Sequence, residues 1–169
     1  VQIEMGRRHA KALGISNMQW HAADISQFDS STLGQFDYVI AHGVYSWVGR
    51  AVQDRLLEIF AERLSASGIG FISYNTYPGW HAHMALREMM LAHVSSIEDG
   101  DQRVDAVLDL IHQLAASTKD SDTPIASVVR SFINSMNDLE SVPVYITHEF
   151  LSHDNSPEYF HEFARRTED

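Results

Sequence analysis

Residues Phe36 to Trp80, FDYVIAHGVYSWVGRAVQDRLLEIFAERLSASGIGFISYNTYPGW, read as strand, polar-aromatic loop, amphipathic helix, strand and a second polar-aromatic loop. The runs Tyr38 to Ala41 and Ile69 to Ile72 are short, largely apolar and bounded by polar loops, the pattern of buried parallel strands. Between them Val52, Leu56, Ile59, Phe60 and Leu64 recur at helical spacing, while Asp54, Glu58 and Glu62 face away. A helix over 51–66 should therefore cover one sheet face. Both loops leave the carboxyl ends of strands, the edge at which open α/β sheets bind ligands. His42, Gly43, Val44, Tyr45, Ser46 and Trp47 are thus expected at one crevice with Tyr74, Asn75, Tyr77 and Trp80.

On the amino-terminal side the pattern gives a helix over 1–13 stopped by Gly14, a strand over 18–22 and a turn within 28–35. The second strand of the central stretch is expected over 69–75. After Trp80 the period changes: apolar residues at Val104, Val107, Leu108, Ile111 and Leu114, then at Ile125, Val128, Val129, Phe132, Ile133 and Met136, define helices. Thr123 and Pro124 suit the N-cap and first turn of the second. A helical layer over 81–140 follows, and PEYFHEFARRTED starts another helix at Pro157. Neither end carries the cap or stop that its helix calls for, so both ends are expected to be truncated.

With 169 residues, 44% of them apolar, the chain can bury one core and a small second layer. Twelve basic against 23 acidic residues give a formal charge of −11, which repels nucleic-acid phosphates and anionic lipid. Without cysteine there are no disulfides and no thiolate chemistry, and a cytoplasmic setting is the default expectation. No apolar run approaches the roughly 20 residues that cross a bilayer. His81 and His83 sit two apart on a helix and point in different directions, so no metal is expected. Ser46, Ser73 and the histidines form no nucleophile, base and acid arrangement, which sets hydrolysis aside.

HGVYSWV at 42–48, SYNTYPGW at 73–80, HEFL at 148–151 and the PEYFHEF segment resemble class I S-adenosylmethionine-dependent methyltransferases that carry a methyltransferase regulatory domain. The resemblance runs across nearly the whole chain. It implies an α/β fold holding part of a Rossmann-like methyltransferase sheet, its first two strands missing, with an added helical layer. The corresponding segments are a partial catalytic core over 1–80, a helical cap or insertion over 81–140, and the start of a regulatory or C-terminal segment over 141–169. The only G-x-G, Gly68 to Gly70, precedes a strand and is not a cofactor loop. Two absent strands would leave a gap of roughly 10 Å with unpaired edges on both sides, one route to a homo-oligomer.

The resemblance further implies S-adenosylmethionine as cofactor. Asp24, with Ile25, matches the acid that accepts the adenine amino group; the alternative is an aspartate that caps a turn. His42 and Gly43 match the strand end that passes the methionine part, His42 either orienting an acceptor or capping the strand. His42, Tyr45 and Trp47 are the expected catalytic residues. Tyr45 and Trp47, with Tyr74, Tyr77 and Trp80, either wall the sulfonium with ring faces or pack beneath helices. The acceptor is unidentified, a protein lysine being one choice. The 169 residues alone are expected to show no methyl transfer, and a catalytically silent methyltransferase-like interaction module is the competing reading.

Overall fold

The computed structural model describes residues 2–137 and 139–168, which group into two compact units. The first contains the described residues up to Val39 together with Arg50–Gly70; the second contains Ile40–Gly49 and the described residues from Phe71 onward.

In the first unit α1 (Gln2–Ala12) ends in a turn in which Ile15 N–H donates to Ala10 O at 2.9 Å, with Gly14 at a φ of 71° as the stop signal requires. Residues 18–22 form no strand, contrary to expectation. A strand needs a neighbour for its backbone groups, and none of the described residues pairs with this segment. Trp20 lies over α1 instead: a Cβ on Gly6 would stand 2.6 Å from its ring. The gap between a strand at 18–22 and one at 36–41 therefore has no counterpart among the described residues. The expected turn resolves into two short 3-10 helices, Ile25–Gln27 and Ser30–Thr32, each started by an aspartate side chain that accepts from the backbone two residues on.

β1 (Phe36–Ala41) and β2 (Leu64–Ile72) pair in parallel, joined by α2 (Arg50–Arg63). Leu56 and Phe60 of α2 are buried, and a Cβ on Gly70 would lie only 2.8 Å from the Phe60 ring, so glycine allows helix and strand to approach. The strands are less buried than their composition suggests: Tyr38 is 69% and Ile40 67% exposed. Among the described residues β1 and β2 pair only with each other, and the face of β1 that carries Phe36, Tyr38 and Ile40 is exposed. Arg55 and Arg63 fasten the 3-10 segments to α2 by donating to Phe28 O and Leu33 O, each at 3.0 Å.

In the second unit β3 (Thr76–Tyr77) leads into α3 (His81–His93), α4 (Gly100–Thr118) and α5 (Pro124–Met136), matching the expected helical layer. Asp99 caps α4 through Gln102 N at 2.9 Å. Thr123 stands at the start of α5 but makes no side-chain cap; its hydroxyl meets Ser121 Oγ at 3.0 Å. Beyond lie α6 (Val142–Tyr145), a π-helical turn Ile146–Phe150, β4 (Glu158–Tyr159) and α7 (Phe160–Glu168), with β4 parallel to β3 in the register Thr76 to Glu158. The helix expected from Pro157 thus begins after a two-residue strand. Leu86, Met90, Val107, Ile111, Phe132 and Phe150 lead the core. Buried Arg87 donates to Ser152 O at 2.5 Å, tying α3 to the segment before β4.

Candidate functional site

The second unit brings the two strand-end loops together. Ser73 N–H donates to Ala41 O at 3.1 Å, and its hydroxyl accepts from Gly43 N–H at 2.9 Å and lies 2.8 Å from His42 Nδ1. Gly43 has a φ of 67°, a left-handed conformation that glycine adopts without the clash a side chain would bring. One turn further, Ser46 Oγ accepts from Asn75 N–H at 2.8 Å, and Ser46 O accepts from Ser156 N–H at 2.8 Å. Ser46 is fully buried, so Ser46→Ala is expected to strand the Asn75 amide and cost about 1–3 kcal/mol. Urea unfolding of the two proteins measures this.

Tyr45 occupies the centre of these loops and is 0% exposed. Its ring lies 5.7 Å from Tyr74 and meets Phe163 edge-on at 5.4 Å, while Tyr74 and Phe163 stack at 4.5 Å. Its hydroxyl receives a hydrogen bond from Arg166 and stands 3.3 Å from Glu158, and Arg166 and Glu158 pair at 2.5 Å. Burial, followed by the charge of Glu158, raises the Tyr74 pKa. Tyr45 therefore sets the form of the loop from inside and presents no surface of its own.

The loop's outer side borders a cavity of about 540 Å³. Gly43 and Trp47 line it from the loop; Glu140, Tyr145, His148 and Glu149 line it from the segment around α6 and the π-helical turn. Burial raises the Glu149 pKa, opposed by His148. The Tyr145 pKa also rises, chiefly by burial and then by the charge of Glu149, which keeps its phenol a donor.

Of the residues selected from sequence, Gly43 and Trp47 reach this cavity, His42 is exposed beside Ser73, and Tyr45 is interior. Tyr77 and Trp80 belong to neither group: Tyr77 stacks on His81 at 4.2 Å and Trp80 on His83 at 4.4 Å. These two histidines thus have different partners, and among the described residues no three metal-binding side chains converge. Asp24 and Ile25 lie in the first unit. Asp24 Oδ1 accepts from Ser26 N–H at 2.9 Å and Ser26 Oγ at 2.7 Å, bonds that lower its pKa. Glu149 and Tyr145 escaped the sequence reading because strand-end reasoning does not reach them. HEFL, which carries part of the family resemblance, contains Glu149 and was the available signal.

No family model matches the chain. It is 36% identical over 167 residues to Uncharacterized protein RP028 of Rickettsia prowazekii (strain Madrid E), covering 99% of this chain and 66% of that protein. Uncharacterized protein RP789 of the same organism is 37% identical over 163 residues, covering 96% of this chain and 29% of that protein. Among solved structures it resembles PKMT2 from Rickettsia typhi, at 35% identity and a TM-score of 0.77, over 99% of this chain and 31% of PKMT2. The structure of PKMT2 in complex with AdoHcy gives a TM-score of 0.82 at 35% identity, over 99% of this chain and 32% of PKMT2. The chain is a mixed α/β protein similar in fold to PKMT2 over nearly its whole length. It spans less than two thirds of each of these proteins, and no described helix is long and apolar enough to cross a membrane.

Proposed function

We propose that the protein carrying this chain is an S-adenosylmethionine-dependent methyltransferase whose acceptor is a protein lysine. The carrying observation is the likeness to PKMT2, a Rickettsia protein lysine methyltransferase, in its complex with AdoHcy, the product left when S-adenosylmethionine gives up its methyl group. When bound, the cofactor supplies an electrophilic methyl on a positive sulfur, so the protein's task is alignment and exclusion of water.

The residues present fit such a cofactor, each in its own unit. Both bonds from Ser26 to Asp24 fall on Oδ1, and among the described residues nothing donates to Oδ2, which leaves an ionised oxygen for the adenine amino group. A Cβ on Gly43 would meet nothing within 4 Å, so the backbone is open to the methionine part. His42 borders the same turn, and Trp47 offers a ring face to positive charge. Tyr45 holds the turn in place from within.

Calorimetric titration of AdoHcy into the full-length protein that carries this chain tests the reading. Binding is expected, and Asp24→Ala should weaken it about 10-fold, the loss of one charge-assisted hydrogen bond. A full-length protein that binds no AdoHcy would refute the proposal and favour a module without chemistry.

A further inference from the structure

The cavity beside Gly43 has a composition that methyl-donor binding alone does not explain. Its volume of about 540 Å³ lies within the range of small-molecule sites. Trp47 and Tyr145 bring two aromatic side chains to its wall, and Glu140 and Glu149 bring two carboxylates. Glu149 is half-buried, its backbone carbonyl accepts from Asn155 Nδ2 at 3.3 Å, and among the described residues nothing donates to its carboxylate. A half-buried carboxylate without a protein donor is satisfied by water, a cation or a proton. Ring faces attract cations as well, and the paired acids repel an anion. His148, the basic side chain on this wall, is exposed.

We propose that this cavity seats the methyl acceptor as a primary alkylammonium, between Trp47 and Tyr145, with Glu149 binding the nitrogen and then taking one of its protons. The inference rests on the methyl-transfer reading and names the residues that would receive the acceptor. In the proton step an N–H bond breaks, an O–H bond forms on Glu149, and the electron pair remains on nitrogen as the nucleophile. The burial that raises the Glu149 carboxyl also lowers an ammonium placed beside it, so desolvation brings the two proton affinities towards each other. Gly43 borders the same cavity, so the freed lone pair faces the turn assigned to the donor's methionine part.

The test uses the full-length protein with AdoHcy bound and reads binding alone. Nα-acetyl-lysine methylamide is titrated calorimetrically, beside the norleucine counterpart that lacks the nitrogen. The wild type is expected to bind the amine and to discriminate against the norleucine compound. Glu149→Gln should weaken amine binding about 10-fold or more while AdoHcy binding is unchanged, and Glu149→Asp, which keeps the charge, should lose less. Glu98→Gln, before α4, should alter neither ligand. Unchanged AdoHcy affinity also shows that the Glu149 variants are folded. Amine binding that ignores Glu149→Gln, a wild type that binds norleucine as well, or no amine binding at all would overturn the inference and leave the methyl-transfer reading standing. Absence of AdoHcy binding would instead remove the reading and the inference together.

Discussion

Replacing Arg166 by alanine is expected to lower the unfolding free energy of the second unit by about 3–5 kcal/mol, the cost of leaving a buried carboxylate without its cation. Glu158 is 8% exposed, and its carboxylate stands 2.5 Å from Arg166 Nη1. The guanidinium also donates to the Tyr45 hydroxyl, with its Cζ 5.5 Å from the centre of that ring. Removal of the cation therefore takes the charge partner from Glu158 and a donor from the Tyr45 hydroxyl at once. The double variant Glu158→Gln with Arg166→Met, which removes both charges, should recover much of the loss. Urea unfolding followed by tryptophan fluorescence distinguishes these cases. A loss below about 1 kcal/mol for Arg166→Ala would mean that the pair behaves as a solvated surface bridge.

Phe150→Ala should cost a similar amount, about 3–5 kcal/mol, for a different reason: it opens a void instead of stranding a charge. Phe150 is fully buried, packs edge-on against Phe132 at 5.0 Å and Tyr145 at 5.7 Å, and closes the π-helical turn that carries Glu149. Phe150→Leu, which nearly keeps the volume, should cost less than about 1.5 kcal/mol. Equal losses for the two substitutions, measured by the same unfolding experiment, would contradict a volume-controlled cost. Because Tyr145 lies on the cavity wall and against Phe150, the alanine variant should also loosen that wall.

The helices were legible because amphipathic periodicity is local: α4 and α5 lie where their apolar spacing places them, whereas α2 ends at Arg63 and Leu64, read as its last apolar position, opens β2. β1 and β2 were legible for a related reason: short apolar runs flanked by polar loops can be recognised without knowing their neighbours. The segment 18–22 was misread because its strand character depends on a partner, which no local pattern supplies. At Asp24 the alternatives of adenine acid and turn cap were both visible, and the structure displays the cap through Ser26 without using Oδ2. The juxtaposition of the strand-end loops followed from the sense of the strands. Tyr45 could not be placed, since its enclosure depends on Phe163 and Arg166, more than a hundred residues away. Glu149 was hidden likewise: facing Gly43 and Trp47 is a property of the folded helical layer, not of its own neighbours in sequence.

The bond between Tyr45 and Arg166 joins residues 121 positions apart, which has a consequence during synthesis on the ribosome. At ordinary elongation speeds of about 5–20 residues per second, Tyr45 emerges roughly 6–24 s before the arginine that completes its surroundings. Through that interval its hydroxyl and ring face remain open to water or to a chaperone. The signature turn consequently reaches its finished form only after the residues through Arg166 have been made.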